Sequence, residues 1–479
     1  MEPAWRETQM THDLIVIGAG PAGMAAATTA SELGLKVVLI DEQARAGGQI
    51  YRNVGIVDET VKTLLGPDYA AGRALVNRLD RSSVDVRSGA LVWDIAQDRT
   101  VSLLSAGLSE RLRAHHVLIA TGAMERPSPV PGWTLPGVMN AGAAQIALKS
   151  GPSIPEGKIV LAGTGPLLLL VACQLLAAGA QLEALVETAP RANLALALRA
   201  LPGALRAPKP LIKGIRMLAT LRSSGVAWYK HATDLAIDGD HRARSLKFLH
   251  RDKKVVVPAD IVLLHHGVVS NTQITRLLRL EHSWSDVQLG WHPLHDGWGA
   301  SKLDGVWIAG DGAAIDGARA AEASGSIAAL GIAHALGRIS EADRNDRAKL
   351  WKRKLARERA VRPFLDALYR PPRWVGSPPD ETLVCRCEEV TAGRIREMAR
   401  MGCAGPNQTK FFSRCGMGPC QGRLCGITVT QILAEVRDER PQSIGAYRVR
   451  APIKPIPLHS LAAMNVEAQE LPIDGDFSE

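Results

Sequence analysis

The sequence predicts an α/β protein with two dinucleotide-binding units and a small helical domain near its C-terminus. A buried strand, a glycine turn, an apolar helix and a second strand follow one another at residues 13–43 and again at residues 157–187. Six of the seven cysteines are grouped at residues 385–425, beyond a proline-rich link. The 479 residues suffice for several domains with substantial cores.

The composition narrows the possible functions. The net charge is +9, but aromatic residues make up only 4% of the chain, so nucleic-acid binding is disfavoured because stacking platforms are scarce. The N-terminal residues lack the basic segment of a secretory signal, and the longest apolar run, from Leu167, is too short to span a bilayer. We therefore expect a cytoplasmic protein with reduced cysteines and no transmembrane segment, and peripheral association with a membrane stays open.

The first unit reads DLIVIGAGPAGMAAATTASELGLKVVLIDEQ. Gly18 makes the turn, Gly20 lets the backbone approach a pyrophosphate, and Gly23 allows the helix to pack closely on the strand. Asp41 ends the second strand about twenty residues later, where a carboxylate accepts hydrogen bonds from a ribose. Because all parts occur in this order, the segment predicts a dinucleotide site rather than a simple tight turn.

Three later segments suit the same cofactor. ARAGGQIYR adds a double glycine, VLIATGAMERP ends a strand at Thr121 and Gly122, and VWIAGDG ends another at Gly310 and Asp311. This ordered set resembles the two-dinucleotide-binding-domain flavoproteins, the glutathione-reductase-like class, over residues 12–340. The resemblance implies FAD as the cofactor, with Asp311 holding its ribityl chain. The residues expected at the cofactor are Gly18, Gly20, Pro21, Ala22, Gly23, Asp41, Glu42, Gln43, Gly48, Gln49, Ile50, Thr121, Gly122, Gly310 and Asp311.

One departure from this class concerns its redox chemistry. Disulfide reductases of the class carry a cysteine pair shortly after the double glycine. The corresponding stretch here reads GGQIYRNVGIV and contains no cysteine. Disulfide reduction is therefore disfavoured.

The second unit has an altered glycine turn. Gly163 and Gly165 are in place and Glu187 ends the second strand, but Leu168 replaces the third glycine. In the flavoprotein class this unit binds NAD(P)H, and we expect the leucine to widen the helix–strand contact or redirect the loop. Binding of NAD(P)H, binding of another nucleotide such as ATP, and a purely structural unit all stay open.

The cysteine segment predicts a metal centre. Cys385 and Cys387 precede a helix expected to begin near Thr391, and three more cysteines follow in the glycine-rich loop RCGMGPCQGRLCG. Thiolates near helix N-termini suit a soft metal, zinc ribbons usually use Cys-x-x-Cys pairs, and a [2Fe-2S] cluster needs four cysteines. Zinc or reduced structural thiols are the alternatives.

This segment resembles the bacterioferritin-associated-ferredoxin type of [2Fe-2S] domain. The resemblance implies Cys385, Cys387, Cys420 and Cys425 as the ligands. It leaves Cys415 outside the set, and Cys403 is interpreted as a core residue at a helix end.

The predicted domain boundaries follow these motifs and the shifts in composition between them. They are a first FAD-binding part at 12–127, a second dinucleotide-binding domain at 128–270, a second FAD-binding part at 271–338, a helical and proline-rich connector at 339–380, the [2Fe-2S] domain at 381–440 and a C-terminal tail at 441–479.

Two further stretches, RPSPVPGWTLPGVMNAGAAQIALKSG and YRVRAPIKPIPLHSLAAM, narrow the resemblance. With GMGPCQGRLCG they look like the larger flavoprotein subunit of opine oxidases, hydrogen cyanide synthase and heteromeric proline or hydroxyproline dehydrogenases. That family implies a partner subunit, similar to amino-acid oxidases and carrying its own FAD, which oxidises a C–N bond of an opine, amino or imino acid. This chain would relay the electrons through [2Fe-2S] and FAD to an acceptor, and a small ferredoxin-like subunit is a further candidate partner.

Two other functions remain as alternatives at the level of sequence. One is a stand-alone NAD(P)H-dependent FAD/[2Fe-2S] reductase, against which Leu168 argues. The other is a non-enzymatic adaptor that carries a cluster. No catalytic residue is expected in this chain, because the groups at His265–His266 and His292–His295 are interpreted as strand and loop residues, and Glu125 and Arg126 as positioning a loop.

Overall fold

The structure is a computed structural model that describes residues 12–151 and 153–462. Its first part is built around a mixed sheet. The strands and helices are, in order, β1 (His12–Ile17), α1 (Pro21–Glu32), β2 (Val37–Asp41), α2 (Glu59–Leu65), α3 (Pro67–Ala70), α4 (Gly72–Asp80), β3 (Asp85–Ser88), β4 (Leu91–Ile95), β5 (Thr100–Ser105), β6 (Leu108–Ile119) and β7 (Ala123–Glu125). The sheet order is β3-β2-β1-β6-β5-β4. Strands β1 to β3 run parallel to β6, whereas β4 and β5 form an antiparallel extension on the N-terminal half of β6.

The second part is a five-stranded parallel sheet with a small antiparallel sheet beside it. The elements are β8 (Val138–Asn140), α5 (Ala141–Ser150), β9 (Ile159–Thr164), α6 (Pro166–Ala177), β10 (Leu182–Glu187), α7 (Ala192–Ala204), α8 (Pro208–Ser223), β11 (Ala227–Tyr229), β12 (Thr233–Asp238), β13 (Ser245–His250), β14 (Lys253–Pro258), β15 (Ile261–His266) and β16 (Val268–Ser270). The parallel order is β11-β10-β9-β15-β8, and β12 to β14 form the second sheet. Helix α6 begins directly after the second glycine of its turn, as α1 does, but Gly165 has φ +133° where Gly20 has φ −77°, so the two turns differ in backbone conformation. The side chain of Leu168 is buried in the core.

The chain then returns to the first sheet. The elements are α9 (Gln273–Leu277), β17 (His282–Ser285), β18 (Gly290–Pro293), β19 (Val306–Ile308), a 3-10 turn (Gly310–Gly312) and α10 (Ala318–Ala335). Strand β19 pairs in parallel with β6 and so ends at the same edge of the sheet as β1. A Cβ on Gly325 of α10 would lie 2.1 Å from the backbone oxygen of Ala22 in α1, so only a glycine permits this helix contact. The two-unit α/β fold predicted from sequence is confirmed.

A connector and a compact helical region complete the chain. The elements are α11 (Glu341–Arg359), α12 (Arg362–Leu368), a 3-10 turn (Arg373–Val375), β20 (Leu383–Cys385), β21 (Val390–Thr391), α13 (Ala392–Arg400), α14 (Pro406–Ser413), α15 (Gly426–Arg437), α16 (Pro441–Ile444) and α17 (Leu458–Ala462). Helices α13 and α15 enclose a core of their own around Ile395 and Val429. Of the predicted tail at 441–479, residues 463–479 lie outside the described residues. Among the helices that the structure describes, none is both long and apolar enough to cross a membrane.

The segment after α16 returns to the first sheet. Val449 and Ile453 are buried in the same core as Ile15 and Val117. The backbone N–H of Ile453 donates to the oxygen of Trp93 at 2.9 Å. This return fixes the helical region against the edge of the sheet where the first glycine turn lies.

Candidate functional site

The first glycine turn is built by contacts that exclude any side chain. Gly18 has φ +105°, and a Cβ there would lie 2.5 Å from the backbone oxygen of Ala120. A Cβ on Gly23 would lie 1.8 Å from the oxygen of Gly18. Gly48 has φ +59°, and a Cβ there would lie 2.8 Å from Cα of Gly20. Bare backbone therefore lines both sides of the turn, as a pyrophosphate requires.

These turns open into a cavity of about 600 Å³ at the carboxyl ends of β1, β2, β6 and β19. Every residue predicted at the cofactor lines this cavity except Gly23, which lies beneath the turn against Gly18. The members are Gly18, Gly20, Pro21, Ala22, Asp41, Glu42, Gln43, Gly48, Gln49, Ile50, Thr121, Gly122, Gly310 and Asp311. The structure thus brings together positions from both ends of the predicted flavoprotein region.

Two predicted carboxylates also hold the loops around the cavity. The backbone N–H groups of Ala19 and Gln43 donate to Asp41 at 2.5 and 2.7 Å. Asp311 Oδ1 accepts from the N–H groups of Asp316 and Gly317 at 3.0 and 2.9 Å. Burial raises the pKa of both acids, and these backbone hydrogen bonds offset part of the rise. Each acid therefore fixes a loop that faces the cavity.

Glu125, which sequence reasoning interpreted only as a loop-positioning residue, lines the cavity. Its Oε1 lies 2.6 Å from Nδ1 of His265, and its Oε2 accepts from the N–H of Gly142 at 2.8 Å. Gly142 lies in the first turn of α5, where free N–H groups favour a carboxylate. The pair is enclosed, since the side chains of His265 and Glu125 are only 1% and 13% exposed.

Lys149 is a second cavity residue that sequence reasoning missed. It is 3% exposed, and its Nζ donates to the backbone oxygen of Gln49 at 3.1 Å and to Oε1 of Gln145 at 2.9 Å. Burial, together with the like charge of Arg52, lowers the pKa of Lys149 to about 8. A buried lysine in a helix of this composition carries no sequence signal, because its neighbours come from other parts of the chain.

The five cysteines of the helical region that could hold a metal lie in two groups. Sγ atoms of Cys385, Cys415 and Cys425 all lie within 4.8 Å of one another, and all three residues are buried. Sγ of Cys387, which is exposed, lies 3.8 Å from Sγ of Cys420. The structure therefore places Cys415, which the resemblance left outside the ligand set, in direct contact with two of the predicted ligands.

Hydrogen bonds among the three buried cysteines shift the pKa values of their thiols. Hydrogen bonds from the thiols of Cys415 and Cys425 lower the pKa of Cys385 to about 2. The same contact raises the pKa of Cys415 to about 12 and that of Cys425 well above its usual value. A soft metal bound by these three cysteines would displace the remaining thiol protons.

The glycines of the loop have a steric purpose. A Cβ on Gly416 or Gly422 would lie 2.6 or 2.2 Å from the ring of Tyr447, and one on Gly418 would lie 2.2 Å from Cβ of Cys387. The loop can wrap around the tyrosine and approach the Cys-x-Cys turn only without side chains at these positions. Cys403 is buried after α13 and lies outside both groups.

The cysteine loop forms part of the wall of the dinucleotide cavity. Arg423 and Leu424, which stand between Cys420 and Cys425, both line the cavity. Gln273 also lines the cavity, and its Nε2 donates to the backbone oxygen of Cys420 at 3.1 Å. The returning segment adds Ile453 and Lys454, and Lys454 forms an ion pair with Glu42.

Both expected cofactors fit the residues present. For FAD, the cavity offers the bare glycine backbone, and the buried Oε1 of Gln273 has no hydrogen-bond partner among the described residues. For an iron–sulfur cluster, five thiols in two groups are a soft donor set large enough to supply four ligands.

At the second glycine turn, the residues that could contact a nucleotide instead contact other side chains of the protein. Trp228 Nε1 donates to Glu187 at 2.8 Å, so the acid that ends the second strand already has a partner. A Cβ on Gly165 would lie 2.9 Å from Nε2 of His265, so the histidine ring occupies the space beside the turn. These contacts therefore do not support binding of a second nucleotide at this turn.

Comparison with known proteins agrees with this architecture. Residues 12–325 match the family described as pyridine nucleotide-disulphide oxidoreductase, and residues 380–465 match the sarcosine oxidase A3 domain. The A subunit of opine oxidase from Rhizobium meliloti is 43% identical over 98% of this chain and 92% of its own length. The HcnB subunit of hydrogen cyanide synthase from Pseudomonas aeruginosa is 32% identical over 95% of this chain and 99% of its own length.

A solved structure extends the agreement to the fold. L-proline dehydrogenase from P. horikoshii superimposes with a TM-score of 0.69 at 18% identity, covering 95% of this chain and 81% of that one. The fold, the dinucleotide cavity and the full-length relatives lead to one assignment. The chain is an FAD-dependent oxidoreductase subunit that belongs to the family of the opine oxidase A subunits, built on the pyridine nucleotide-disulphide oxidoreductase fold.

Proposed function

We propose that this chain is the electron-transfer subunit of a heteromeric oxidase that acts on the C–N bond of an opine, amino or imino acid. The observation that carries the proposal is the contact between the two cofactor sites. Arg423 and Leu424 belong at once to the cysteine loop and to the wall of the dinucleotide cavity. Electrons could pass between a cluster and a flavin held there without leaving the protein.

Each group of residues has its own role in this proposal. The glycine turns and Asp311 bind FAD, and Cys385, Cys387, Cys420 and Cys425 hold a [2Fe-2S] cluster. Because Cys415 contacts Cys385 and Cys425, it is the substitute ligand to be tested. When bound, the cluster supplies one-electron transfer and FAD supplies exchange between one- and two-electron steps.

Substrate oxidation is assigned to a partner subunit. The relatives are themselves named as subunits of opine oxidase and hydrogen cyanide synthase, which supports a heteromeric assembly. The proposed partner resembles amino-acid oxidases and carries its own FAD, and a small ferredoxin-like subunit is a further proposed partner. A cytoplasmic location belongs to the proposal, since a reducing compartment keeps five neighbouring thiols from forming disulfides.

The proposal is tested in the assembled complex with an opine as the electron donor. Cys420→Ser should remove most of the bound iron and block reduction of an external acceptor, while the partner's own flavin is still reduced. Cys403→Ser is the matched control, because Cys403 is buried in the same region but outside both cysteine groups. Oxidation of the opine by the isolated chain, or an unchanged rate in a Cys420→Ser complex that has lost its iron, would contradict the relay.

The ligand set is decided by a second comparison. If the proposed set is correct, Cys415→Ser keeps the iron content and the electron paramagnetic resonance signal of the reduced cluster, whereas Cys425→Ser loses both. Loss of iron in Cys415→Ser, with retention in Cys420→Ser or Cys425→Ser, would exchange the assignment of these cysteines without affecting the relay itself.

A further inference from the structure

Helices α7 and α8 present large apolar side chains to solvent. On and directly after α7, Leu194, Leu198 and Leu205 are 56%, 53% and 62% exposed. On α8, Ile212 and Ile215 are 48% and 66% exposed. In each helix the spacing of these residues is close to a whole number of turns, so they form a stripe, and Leu196, 42% exposed, adds apolar surface on another side of α7. Exposed apolar stripes of this kind mark a contact surface.

The exposed leucines of α7 are not the residues that pack this helix into the protein core. That helix already buries Asn193, Ala197 and Ala204. Nδ2 of Asn193 donates to the backbone oxygens of Leu368 and Arg370 at 3.2 and 2.9 Å. Small residues thus pack α7 against α12, and the leucines are left for another contact.

The segment that contains the stripe carries positively charged side chains and no acidic ones. Residues 188–233 contain no Asp or Glu, and residues 191–224 contain seven Lys or Arg. Among the described residues only Lys213 of these seven forms an ion pair, with Asp68 at 2.7 Å. An arginine directly follows three of the exposed apolar residues, as in Leu198-Arg199.

This combination selects the kind of partner. In a protein interface, the unpaired arginines beside the leucines would be stripped of water, which costs more than it returns unless matching acids are present. At a lipid surface, leucine and isoleucine enter the boundary of the acyl chains while arginine stays among anionic headgroups. We propose that residues 191–224 dock on a membrane surface rich in anionic lipid. The proposal does not depend on the electron relay.

Sedimentation of the assembled complex with vesicles tests the proposal. Vesicles of phosphatidylglycerol and phosphatidylcholine should bind the complex, those of phosphatidylcholine alone should not, and high salt should release it. Replacing Leu194, Leu198 and Leu205 together by Ser should weaken binding by at least about tenfold, since each buried leucine contributes to insertion. Replacing Arg199, Arg206 and Arg216 by Gln should weaken it by a similar factor.

A matched control uses exposed apolar residues elsewhere. Leu350 and Met401 are each 69% exposed, and Leu350→Ser and Met401→Ser should leave vesicle binding unchanged. Absence of binding to anionic vesicles, or equal binding by the leucine variant, would overturn the proposal. A different outcome is that the native complex does not bind vesicles and the leucine variant loses the partner subunit. The stripe would then be a subunit interface, and the proposal would be wrong. Because all changed residues are exposed, thermal unfolding should stay close to that of the native complex.

Discussion

The buried charge of Lys149 gives a prediction whose size follows from its position. The side chain is 3% exposed in the cofactor cavity, and burial lowers its pKa from 10.5 to about 8. Between these two values the unfolded chain binds a proton that the folded chain does not. Stability should therefore rise with pH from about 8 to 10.5, and below about pH 8 the full cost of the buried charge is present.

The magnitude follows from the difference between 10.5 and about 8, which corresponds to about 3 kcal/mol at about 1.4 kcal/mol for each pKa unit. Lys149→Met keeps most of the length of the side chain but removes the charge. Against this variant, the cofactor-free native protein should gain about 3 kcal/mol across that range of pH. Urea unfolding of both proteins at several pH values measures this difference in unfolding free energy. The titration of all other groups contributes equally to both proteins and cancels when one is subtracted from the other.

Lys302→Met serves as the control, because the Lys302 side chain is 75% exposed. Its unfolding free energy should run parallel to that of the native protein at every pH. If Lys149→Met is also parallel to the native protein, Lys149 is not held in an environment that penalises its charge. The reasoning from burial would then be refuted.

Two further predictions test the cavity. Gly48→Ala should reduce FAD affinity by at least about tenfold, because the left-handed conformation costs an alanine about 1–2 kcal/mol and its Cβ would meet Gly20 at 2.8 Å. Retained flavin content after gel filtration reports this, with Gly34→Ala, which has space for a Cβ, as the control. Glu125→Gln should lower the unfolding free energy by about 1–3 kcal/mol, because the buried contact with His265 loses its charged acceptor. Unchanged urea midpoints would contradict that role.

Much of the cofactor site could be predicted from sequence because its signals are local. The order of strand, glycine turn, helix and acid follows from backbone geometry within about thirty residues. Gly18, Gly20 and Asp41 therefore identify the cavity before any tertiary contact is known, and all three line it in the structure. The environment of Leu168 could not be predicted in the same way, because the core that buries its side chain around α6 is assembled from several segments.

The rest could not be predicted because it depends on packing between distant segments. Cys415 lies beside Cys385 only because the loop wraps around Tyr447. Lys149 faces Gln49 from a distant point in the sequence, and no spacing rule joins two such positions.

The sequence by itself determined a two-unit α/β dinucleotide-binding fold with a cysteine domain, since strand periodicity, glycine turns and cysteine spacing are properties of short segments. Only the tertiary structure decided that the cysteine loop forms a wall of the flavin cavity through Arg423 and Leu424. The return of Val449 and Ile453 to the first core fixes that contact. Burial of apolar side chains from the end of the chain, rather than any motif, brings the cysteine loop to the dinucleotide cavity.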